Sequence, residues 1–407
     1  MFFTIYDKFN IMDGKKEKIQ RSLSKNVEQI LPDKEKLAVL MSKRKIRLYN
    51  GIDPTGTKLH LGHSIPLRKL QEFADLGHEA IIVVGTGTVL AGDPSLRDKA
   101  RPKITQKEIK DNIKTWKKQA SKVLDFSKVK IKYNGDWLTK LKLAEILNIA
   151  SNISAVQLFQ RDMFQKRLEK GGTVWMNEVL YPILQGYDSV YMDVDLEIGG
   201  TDQVFNMLVG RDLMQKMKSK EKFVMTLPMI LGTDGKPMSK SSGNCIWLDD
   251  EPNEMYGKIM SIPDEIIIPY FKTLTDIPEE KIFEYEENIK NGTVNPVELK
   301  KKLAIKIVEM YHGKKSSLNA SEEFNRIFCQ NEMPSEMPKI EIKEEKINIL
   351  ELLVKTKITL SKAEARRLIE QGGVKINGEI QNDWKKEIKT EKEMIIQAGK
   401  RKFVKII

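Results

Sequence analysis

Residues 49–63 join the end of a strand pattern to the start of a helical pattern. Ile46 and Leu48, which favour strands, lead into a turn that is rich in glycine, proline and threonine. Beyond the turn, apolar residues recur at roughly helical spacing over residues 65–73. A strand, a short turn and a helix in this order form the repeating unit of a sheet covered by helices, so this stretch predicts an α/β fold.

The stretch contains Leu59-His60-Leu61-Gly62-His63, in which two histidines lie three residues apart. If a helix begins there, both imidazoles lie on one face of its first turn. Backbone N–H groups are unpaired at a helix N-terminus, so two imidazole donors beside them make a site for an anion. The alternative is a pair of ordinary histidines at a helix cap. The chain has only four histidines, however, and two of them are here.

Strand and helix patterns continue to alternate along the first 230 residues. Strands are predicted at residues 46–51, 79–85, 129–133, 194–198 and 223–230, with helical stretches at 107–124, 138–148 and 151–170. This alternation predicts a Rossmann-like, doubly wound parallel sheet with right-handed crossovers. Ligands bind such sheets at the carboxyl ends of the strands, which is where the histidine stretch falls.

Two further segments bring polar side chains to those strand ends. Tyr181, Gln185 and Asp188 are spaced i, i+4 and i+7, so one helix face carries a phenol, an amide and a carboxylate. Such a face suits a small zwitterion, and the wet side of an amphipathic helix is the alternative. Gly200 and Asp202 follow the fourth strand, where a glycine permits close approach of a nucleotide and an aspartate can bind ribose hydroxyls.

Residues 232–244 have glycines near both ends and three serines, which predicts a mobile loop. Lys240 is the natural point charge of this loop for binding phosphates. A solvated basic loop is the alternative interpretation.

The patterns divide the chain into five parts. We predict an N-terminal helical segment (residues 1–44), the α/β domain (45–248), an α-helical domain (249–330), a linker with two prolines (331–346) and a small α+β unit (347–407). In the last part, Ser361 and Glu364 form a capping box and Asn377-Gly378 is a turn signal.

The formal charge is +12, which favours a polyanionic partner. Residues 347–407 hold 14 lysines and arginines against 8 acidic residues, so this last sixth of the chain carries half of the net charge. We therefore expect an RNA-binding surface there, with Lys362, Arg366 and Arg367 on a helix and Lys375 in the strand pattern that follows.

Cys245 and Cys329 show neither disulfide-framework nor zinc-site spacing, so no metal site is predicted and a cytoplasmic location is expected. No run of 18 apolar residues occurs, so no membrane span is expected.

Together these segments resemble the bacterial-type tyrosyl-tRNA synthetases, which are class I aminoacyl-tRNA synthetases, from about residue 45 to the end of the chain. The histidine stretch is similar to the "HIGH" motif of the family, and Pro237-Met238-Ser239-Lys240-Ser241 is similar to its "KMSKS" motif. Residues 181–188 and 200–203 resemble segments that mark the tyrosine enzymes rather than the tryptophan enzymes. The C-terminal unit resembles a small RNA-binding domain known from a ribosomal protein, and the resemblance makes residues 249–330 an anticodon-binding domain.

The resemblance implies activation of L-tyrosine with ATP and Mg²⁺, transfer to tRNA(Tyr), and a homodimer. It assigns catalysis to three residues: His60, His63 and Lys240. It assigns the tyrosine site to Tyr49, Asp93, Tyr181, Gln185, Asp188 and Gln203. It assigns the ATP site to Gly51, Asp53, Thr55, His60, Gly62, His63, Gly200, Asp202, Met238, Lys240 and Ser241.

Two positions depart from the family pattern. Pro237 replaces the first lysine of the mobile loop, although Lys236 precedes it, and Thr86-Gly87 replaces the usual Asp-Phe pair, so that wall of the pocket is expected to differ. The departures leave open a non-catalytic RNA-binding protein as the alternative function. Within the enzymes, tryptophan is the rival substrate, and the polar helix face at residues 181–188 disfavours it.

Overall fold

The computed structural model describes residues 14, 16–95, 104–238, 242–328, 330, 337–399 and 402–407. The chain divides into two units, Met1–Gly313 and Lys314–Ile407. Within the described residues, no helix is long and apolar enough to cross a membrane.

The first unit is built on a six-stranded sheet with the strand order β1-β6-β5-β2-β3-β4. The strands are β1 (Gln29–Leu31), β2 (Arg47–Ile52), β3 (Glu79–Val84), β4 (Val129–Tyr133), β5 (Leu196–Gly200) and β6 (Phe223–Leu227). Strands β2 to β6 are parallel to one another. The residues of β3 and β6 are mostly apolar and almost all buried, as expected for strands covered on both faces.

The prediction that the N-terminal segment is entirely helical is wrong, because the segment also contains the edge strand β1. This strand is antiparallel to its neighbour, so the sheet is mixed. Residues 16–22 and Lys34–Lys43 are helical, but β1 lies between them and pairs antiparallel with β6, with Ile30 opposite Met225. The three residues of β1 are at most partly buried and precede a proline, and they are too few to show a strand-like alternation of apolar and polar side chains. The strand forms because it pairs with the buried strand β6, and its own sequence does not indicate this pairing.

Helices cover both faces of this sheet and continue beyond it. The α-helices of the first unit include Lys34–Lys43, Leu61–Asp75, Thr88–Ala91, Gln106–Ile113, Trp116–Ala120, Gly135–Leu138, Leu143–Ala150, Ala155–Phe159, Asp162–Glu169, Met176–Met192, Val204–Lys218, Pro252–Met260, Ile267–Leu274, Glu279–Lys290 and Pro296–His312. The last four lie in the helical domain predicted at residues 249–330, but the last helix of that stretch, Lys314–Phe328, belongs to the second unit, so the boundary falls after Gly313.

The single helix predicted at residues 107–124 is instead two short helices. The polar side chains at their junction bond to the loop that precedes His60. Asn112 donates to the Pro54 carbonyl at 2.8 Å, the Trp116 indole donates to Gly56 at 3.0 Å, and Gln119 donates to Thr57 at 2.8 Å. These tertiary bonds override helical periodicity and hold that loop in place.

Two long helices of the sheet layer, Met176–Met192 and Val204–Lys218, cross at a pair of glycines. A Cβ on Gly186 would lie only 3.0 Å from the backbone of Gly210, so glycine permits the close approach. This contact packs the helix that carries Tyr181, Gln185 and Asp188 closely against the helix Val204–Lys218.

The strand order reverses beside β2. The chain runs from β2 outward through β3 to β4, then returns to place β5 on the other side of β2, with Tyr49 opposite Glu197. A crevice opens at the carboxyl ends of the strands at such a switch point.

The second unit contains the helices Lys314–Phe328, Ile349–Lys355 and Lys362–Glu370 and two small sheets. One has the order β10-β9-β12-β13-β7, and the other pairs β11 with β8. These strands are β7 (Lys339–Ile340), β8 (Lys346–Asn348), β9 (Val374–Ile376), β10 (Glu379–Ile380), β11 (Glu387–Lys389), β12 (Ile395–Ala398) and β13 (Lys402–Ile406).

The predicted helix cap and turn of this unit are confirmed, but the capping box is only half formed, because the Glu364 side chain accepts from the N–H of Leu360. Ser361 accepts a hydrogen bond from the Glu364 N–H at 3.2 Å, and Asn377-Gly378 joins β9 to β10 with positive φ at both residues. The predicted linker is not wholly irregular, however, because β7 pairs with β13. Two residues are too short to produce a strand pattern in the sequence.

Candidate active site

A cavity of about 300 Å³ lies at the switch point. The structure brings together along it every predicted tyrosine-site and ATP-site residue that it describes. These are Tyr49, Gly51, Asp53, Thr55, His60, Gly62, His63, Asp93, Tyr181, Gln185, Asp188, Gly200, Asp202, Gln203 and Met238. Lys240 and Ser241 lie outside the described residues, so their placement stays a prediction.

Both histidines of the first motif lie at the start of the helix Leu61–Asp75, with His60 as the residue before its first turn. The backbone N–H of His60 donates to Nδ1 of His63 at 3.0 Å, and the two rings lie 3.8 Å apart. Because Nδ1 accepts, a neutral His63 carries its proton on Nε2 and is a donor there. A Cβ on Gly62 would lie 3.0 Å from the His60 ring, so glycine makes room for that ring.

The segment that follows the mobile loop is tied to the histidine stretch. The N–H of Leu61 donates to Ile246 at 2.9 Å, and the N–H of Leu248 donates to Leu59 at 2.8 Å. The Trp247 ring lies 6.0 Å from the ring of His60. One end of the loop is thereby anchored beside the first turn of the helix.

The base of the loop at residues 232–244 is closed by hydrogen bonds around Asn244. Its side-chain amide donates to Asp234 at 2.7 Å and to the Pro237 carbonyl at 3.2 Å, and its carbonyl accepts from Thr233 at 3.1 Å. Pro237 forms a β-bridge with Leu231. The proline is therefore part of the closed base of the loop, with Met238 beside the cavity.

At the inner end of the cavity, Tyr49 and Asp188 are both buried. The Tyr49 hydroxyl lies 3.0 Å from the Ser189 hydroxyl. The Asp188 carboxylate accepts from the Trp137 indole at 2.8 Å and from the Asn134 amide at 2.9 Å. A phenol hydroxyl and a carboxyl group thus face the same enclosed space.

Burial raises the pKa of Asp188 from its ordinary value to about 8, although hydrogen bonds from Asn134 and Trp137 lower it and the negative charges of Glu197 and Asp53 raise it further. Burial also raises the pKa of Tyr49, and the charges of Glu197 and Asp188 add to this effect. Tyr49 is therefore a neutral hydroxyl at physiological pH.

The predicted tyrosine and ATP residues meet where Tyr181 donates to Asp53 at 3.1 Å. Asp53 also accepts from the Thr88 hydroxyl at 2.7 Å. A second meeting point is Gln203, whose amide donates to both Asp93 and Asp202 at 2.9 Å. The two residue sets form one continuous polar lining.

The wall beside Thr86-Gly87 is built around Asn134. The Gly87 N–H donates to the Asn134 side-chain oxygen at 2.7 Å, and Thr86 accepts from the Gly135 N–H at 2.9 Å. A Cβ on Gly87 would lie 3.0 Å from the Leu138 side chain. Glycine fits this wall closely, and a side chain at position 87 would have to displace Leu138.

Sequence reasoning missed several residues with polar groups that line the cavity or contact its lining. Asn134 directly follows β4, so the rule that ligands bind at the carboxyl ends of strands could have found it. Glu197 is a charged residue inside an otherwise apolar strand, which is also a signal. Trp137 and Ser189 lie on helices with no pattern that singles them out, and Thr88 and Lys222 likewise carry no local signal.

In the second unit, three of the predicted RNA-binding residues lie on the helix Lys362–Glu370 and are exposed. Lys362 pairs with Glu351 at 2.5 Å, and Arg366 pairs with Glu370 at 2.8 Å while its guanidinium lies 4.4 Å from the Trp384 ring. Lys375 is half-buried and lies in β9, which follows that helix in the chain.

Comparisons with known proteins agree with this geometry. The family model "tRNA synthetases class I (W and Y)" matches residues 41–329, and the model "Tyrosine--tRNA ligase SYY-like C-terminal domain" matches residues 330–406. A tyrosine–tRNA ligase of Thermotoga maritima is 45% identical over 385 residues, which cover 94% of this chain and 96% of that protein. One from Moorella thermoacetica is 38% identical over 391 residues, or 95% of each chain.

Solved structures share the fold. A C-terminally truncated mitochondrial tyrosyl-tRNA synthetase of Aspergillus nidulans superimposes with a TM-score of 0.64 at 22% identity, covering 78% of this chain and 99% of that one. The tyrosyl-tRNA synthetase of Archaeoglobus fulgidus complexed with L-tyrosine gives 0.61 at 22% identity, covering 75% and 99%. The chain therefore belongs to the tyrosine–tRNA ligase family of class I tRNA synthetases.

Proposed function

We propose that the cavity at the switch point is where this tyrosine–tRNA ligase activates L-tyrosine with ATP, before tyrosine passes to the 3′ end of tRNA(Tyr). The observation that carries the proposal is the single polar lining, in which the buried Tyr49 and Asp188 and a helix N-terminus with two histidines share one cavity. The hydrogen bond from Tyr181 to Asp53 joins the two sets.

The reaction needs no general base. The tyrosine carboxylate, with a pKa of about 3.5, is already ionised when it attacks the α-phosphate of ATP and releases pyrophosphate. The protein's contribution is to hold the reactants in line and to surround the phosphoryl group with donors. We assign that role to His60, His63 and the helix N-terminus beside them, with Lys240 supplied by the mobile loop.

We assign the substrate phenol to Tyr49 and Asp188. A site built to hydrogen-bond a hydroxyl rejects a substrate that lacks it, because buried polar groups are then left unpaired. Asp93, Tyr181 and Gln185 are assigned to the ammonium group and Gln203 to the neighbourhood of the carboxylate. The remaining assigned residues, which are Gly51, Asp53, Thr55, Gly62, Gly200, Asp202, Met238 and Ser241, would contact ATP.

Mg²⁺ would arrive on the phosphates of ATP. Magnesium commonly binds substrate phosphates with few protein ligands. Among the described residues, no group of three or more histidine, cysteine, aspartate or glutamate side chains is arranged to hold a metal ion. The aspartates of the cavity already accept hydrogen bonds from neutral side chains, which fits an ion delivered by its substrate.

We propose that the helix Lys362–Glu370 contacts the tRNA backbone through Lys362, Arg366 and Arg367, with Lys375 contributing from β9. The first three are exposed cations on one short helix. Phosphate contacts of this kind make affinity fall with salt. Replacing Arg366 and Arg367 with glutamine should raise the KM for tRNA and flatten its salt dependence without slowing adenylate formation. The matched control removes two exposed charges from the first unit, Lys43→Gln with Lys45→Gln, and should leave both quantities unchanged.

We also propose a homodimer and a cytoplasmic location. Eight large apolar side chains between residues 143 and 191 are exposed: Leu143, Leu147, Val156, Phe159, Leu168, Trp175, Met176 and Tyr191. Exposed apolar residues concentrated in this way mark protein–protein contact surfaces, and interfaces between identical subunits are the more apolar kind. A second copy of the chain is the partner that the family resemblance implies, and two subunits could be bridged by one tRNA.

The direct test of the whole function is charging of tRNA(Tyr) with radiolabelled tyrosine by the purified chain. We expect ATP-dependent charging with tyrosine and none with tryptophan. Charging with tryptophan alone would contradict the assignment of Tyr49 and Asp188, because tryptophan has no phenol hydroxyl for them to bind.

A further inference from the structure

A buried ion pair between Lys222 and Glu197 lies directly behind the cavity. Glu197, on β5, lines the cavity and is 1% exposed, and Lys222, which precedes β6, is 0% exposed. The ammonium group of Lys222 contacts the Glu197 carboxylate and donates to the Met207 carbonyl at 3.0 Å. Lys222 therefore has two acceptors inside the protein.

Such a pair is expensive, because two charges lose their hydration and apolar residues of the same volume often serve stability as well. Because this ion pair lies next to the cavity, we expect it to have a role in the site. The contacts of Glu197 indicate what that role is.

Glu197 determines the orientation of the Gln185 side chain. The Gln185 amide nitrogen donates to Glu197 Oε1 at 2.9 Å, and an ionised carboxylate can only accept. The Gln185 oxygen must therefore point away from Glu197. That oxygen is buried and has no hydrogen-bond partner among the described residues, and Gln185 lines the cavity. An unpaired acceptor of this kind fits a ligand donor such as an ammonium group.

The cation keeps this arrangement in place. Without Lys222, a carboxyl group as buried as Glu197 is most stable when protonated, because an unpaired buried charge is costly. A protonated Glu197 becomes a donor, and the Gln185 amide can then turn its oxygen toward it. The acceptor facing the cavity would be replaced by an NH₂ group, which repels an ammonium.

We propose that Lys222 is a positioning residue for the substrate amino group: by holding Glu197 ionised, it orients the Gln185 amide so that its oxygen faces the ammonium of L-tyrosine. The proposal rests on the assignment of Gln185 to that ammonium. It names Lys222 and Glu197 as residues that act without touching the substrate.

The test compares two ligands in the full-length chain. L-Tyrosine has the ammonium group, and 3-(4-hydroxyphenyl)propionate is the same molecule without it. Lys222→Met should weaken L-tyrosine binding by roughly 10- to 100-fold, since one charged hydrogen bond is lost and a donor faces the ligand. Binding of the analogue and the KM for ATP should not change. If both ligands weaken equally, or neither weakens, the proposal is overturned.

Glu197→Gln provides a second variant that keeps the shape of the site if Lys222→Met does not fold. Its oxygen would face Lys222 and its NH₂ would face Gln185, so the amide of Gln185 should turn as before. We expect the same selective loss for L-tyrosine. The double variant should be no worse than either single variant, because both act through Gln185. Additive losses would contradict a shared route.

Arg167→Met is the matched control, because Arg167 and Glu178 form another buried ion pair at 2.8 Å in the same unit. It should lower the unfolding temperature without changing the ratio of the two affinities. Gln185→Ala distinguishes a wrong assignment of Gln185 from a wrong positioning role for Lys222. If it leaves the ratio unchanged, the assignment of Gln185 fails and this proposal fails with it. If it changes the ratio while Lys222→Met and Glu197→Gln do not, only the positioning role is wrong.

Discussion

Asp188 is a carboxyl group enclosed by donors. It is 2% exposed, and its oxygens accept from Trp137 and Asn134. These two hydrogen bonds fix the position of its carboxyl group. A carboxyl held in this way can discriminate between ligands because it cannot move to find another partner when the ligand offers none.

Replacing Asp188 with asparagine should reduce the preference for tyrosine over phenylalanine by roughly 10- to 100-fold, since the substrate hydroxyl loses one well-placed partner. The ratio of kcat/KM for the two amino acids in pyrophosphate exchange measures this. An unchanged ratio would remove Asp188 from phenol recognition.

The raised pKa of Asp188 also predicts a pH dependence of stability. The native carboxyl has a pKa of about 8, whereas an unfolded aspartate titrates near ~3.9. Between these values the native state holds a proton that the unfolded state releases, so this group makes stability fall as pH rises. The unfolding temperature of Asp188→Asn minus that of the parent should therefore increase from pH 5 to pH 8. A difference that is constant over this range would contradict a raised pKa.

At the scale of elements, the N-terminus of Leu61–Asp75 holds the two histidines that we assign to the phosphates of ATP. The helix begins where the histidine stretch predicted it, and Tyr49 and Gly51 on β2 lie beside it along the cavity. The loop at residues 54–57 is held by side chains from two separate short helices. Helix and loop together give His63 a fixed donor position.

His63→Ala and Lys240→Ala should each slow adenylate formation by roughly 10²–10³-fold, because each removes one donor to the developing charge. The dissociation constant of tyrosine should barely change. Single-turnover kinetics and equilibrium dialysis measure the two quantities. His312→Ala, which removes a histidine far along the chain at the end of another helix, is the control. A large loss of tyrosine affinity with an intact rate would refute the assigned roles.

Much of the secondary structure could be predicted from the sequence, because it depends on residues that are close together in the chain. The buried strands β3 and β6 and the capped helix at Ser361 depend on local patterns, and local patterns were correctly interpreted. The edge strand β1, the break between Gln106–Ile113 and Trp116–Ala120, and the strand β7 depend on partners distant in the chain. Around the cavity, residues in sequence motifs could be predicted. Lys222 could not, because its proposed role depends on Glu197 on the neighbouring strand β5.

At the scale of the whole molecule, the apolar side chains exposed between residues 143 and 191 would remain in water in a monomer. Leu143 and Leu147 lie one helical turn apart on Leu143–Ala150 and are 71% and 61% exposed. Burying such side chains against a second copy releases free energy in proportion to the apolar area covered.

Leu147→Glu should therefore shift the chain from a dimer to a monomer, because a charge placed in an apolar interface has no partner. Light scattering after size exclusion measures the mass directly. Leu360→Glu changes an even more exposed leucine in the second unit and should leave the mass unchanged. A parent chain that is monomeric at micromolar concentration would contradict the dimer.

The measurement that tests the central claim most directly is amino-acid-dependent exchange of pyrophosphate into ATP, with tyrosine, phenylalanine and tryptophan in parallel. The account predicts rapid exchange with tyrosine alone, since only tyrosine satisfies Tyr49 and Asp188 while its carboxylate reaches the phosphate-binding helix N-terminus. Silence with all three, from folded chain that still binds tRNA, would contradict it and would favour an RNA-binding protein whose loop, with Pro237, no longer supports activation.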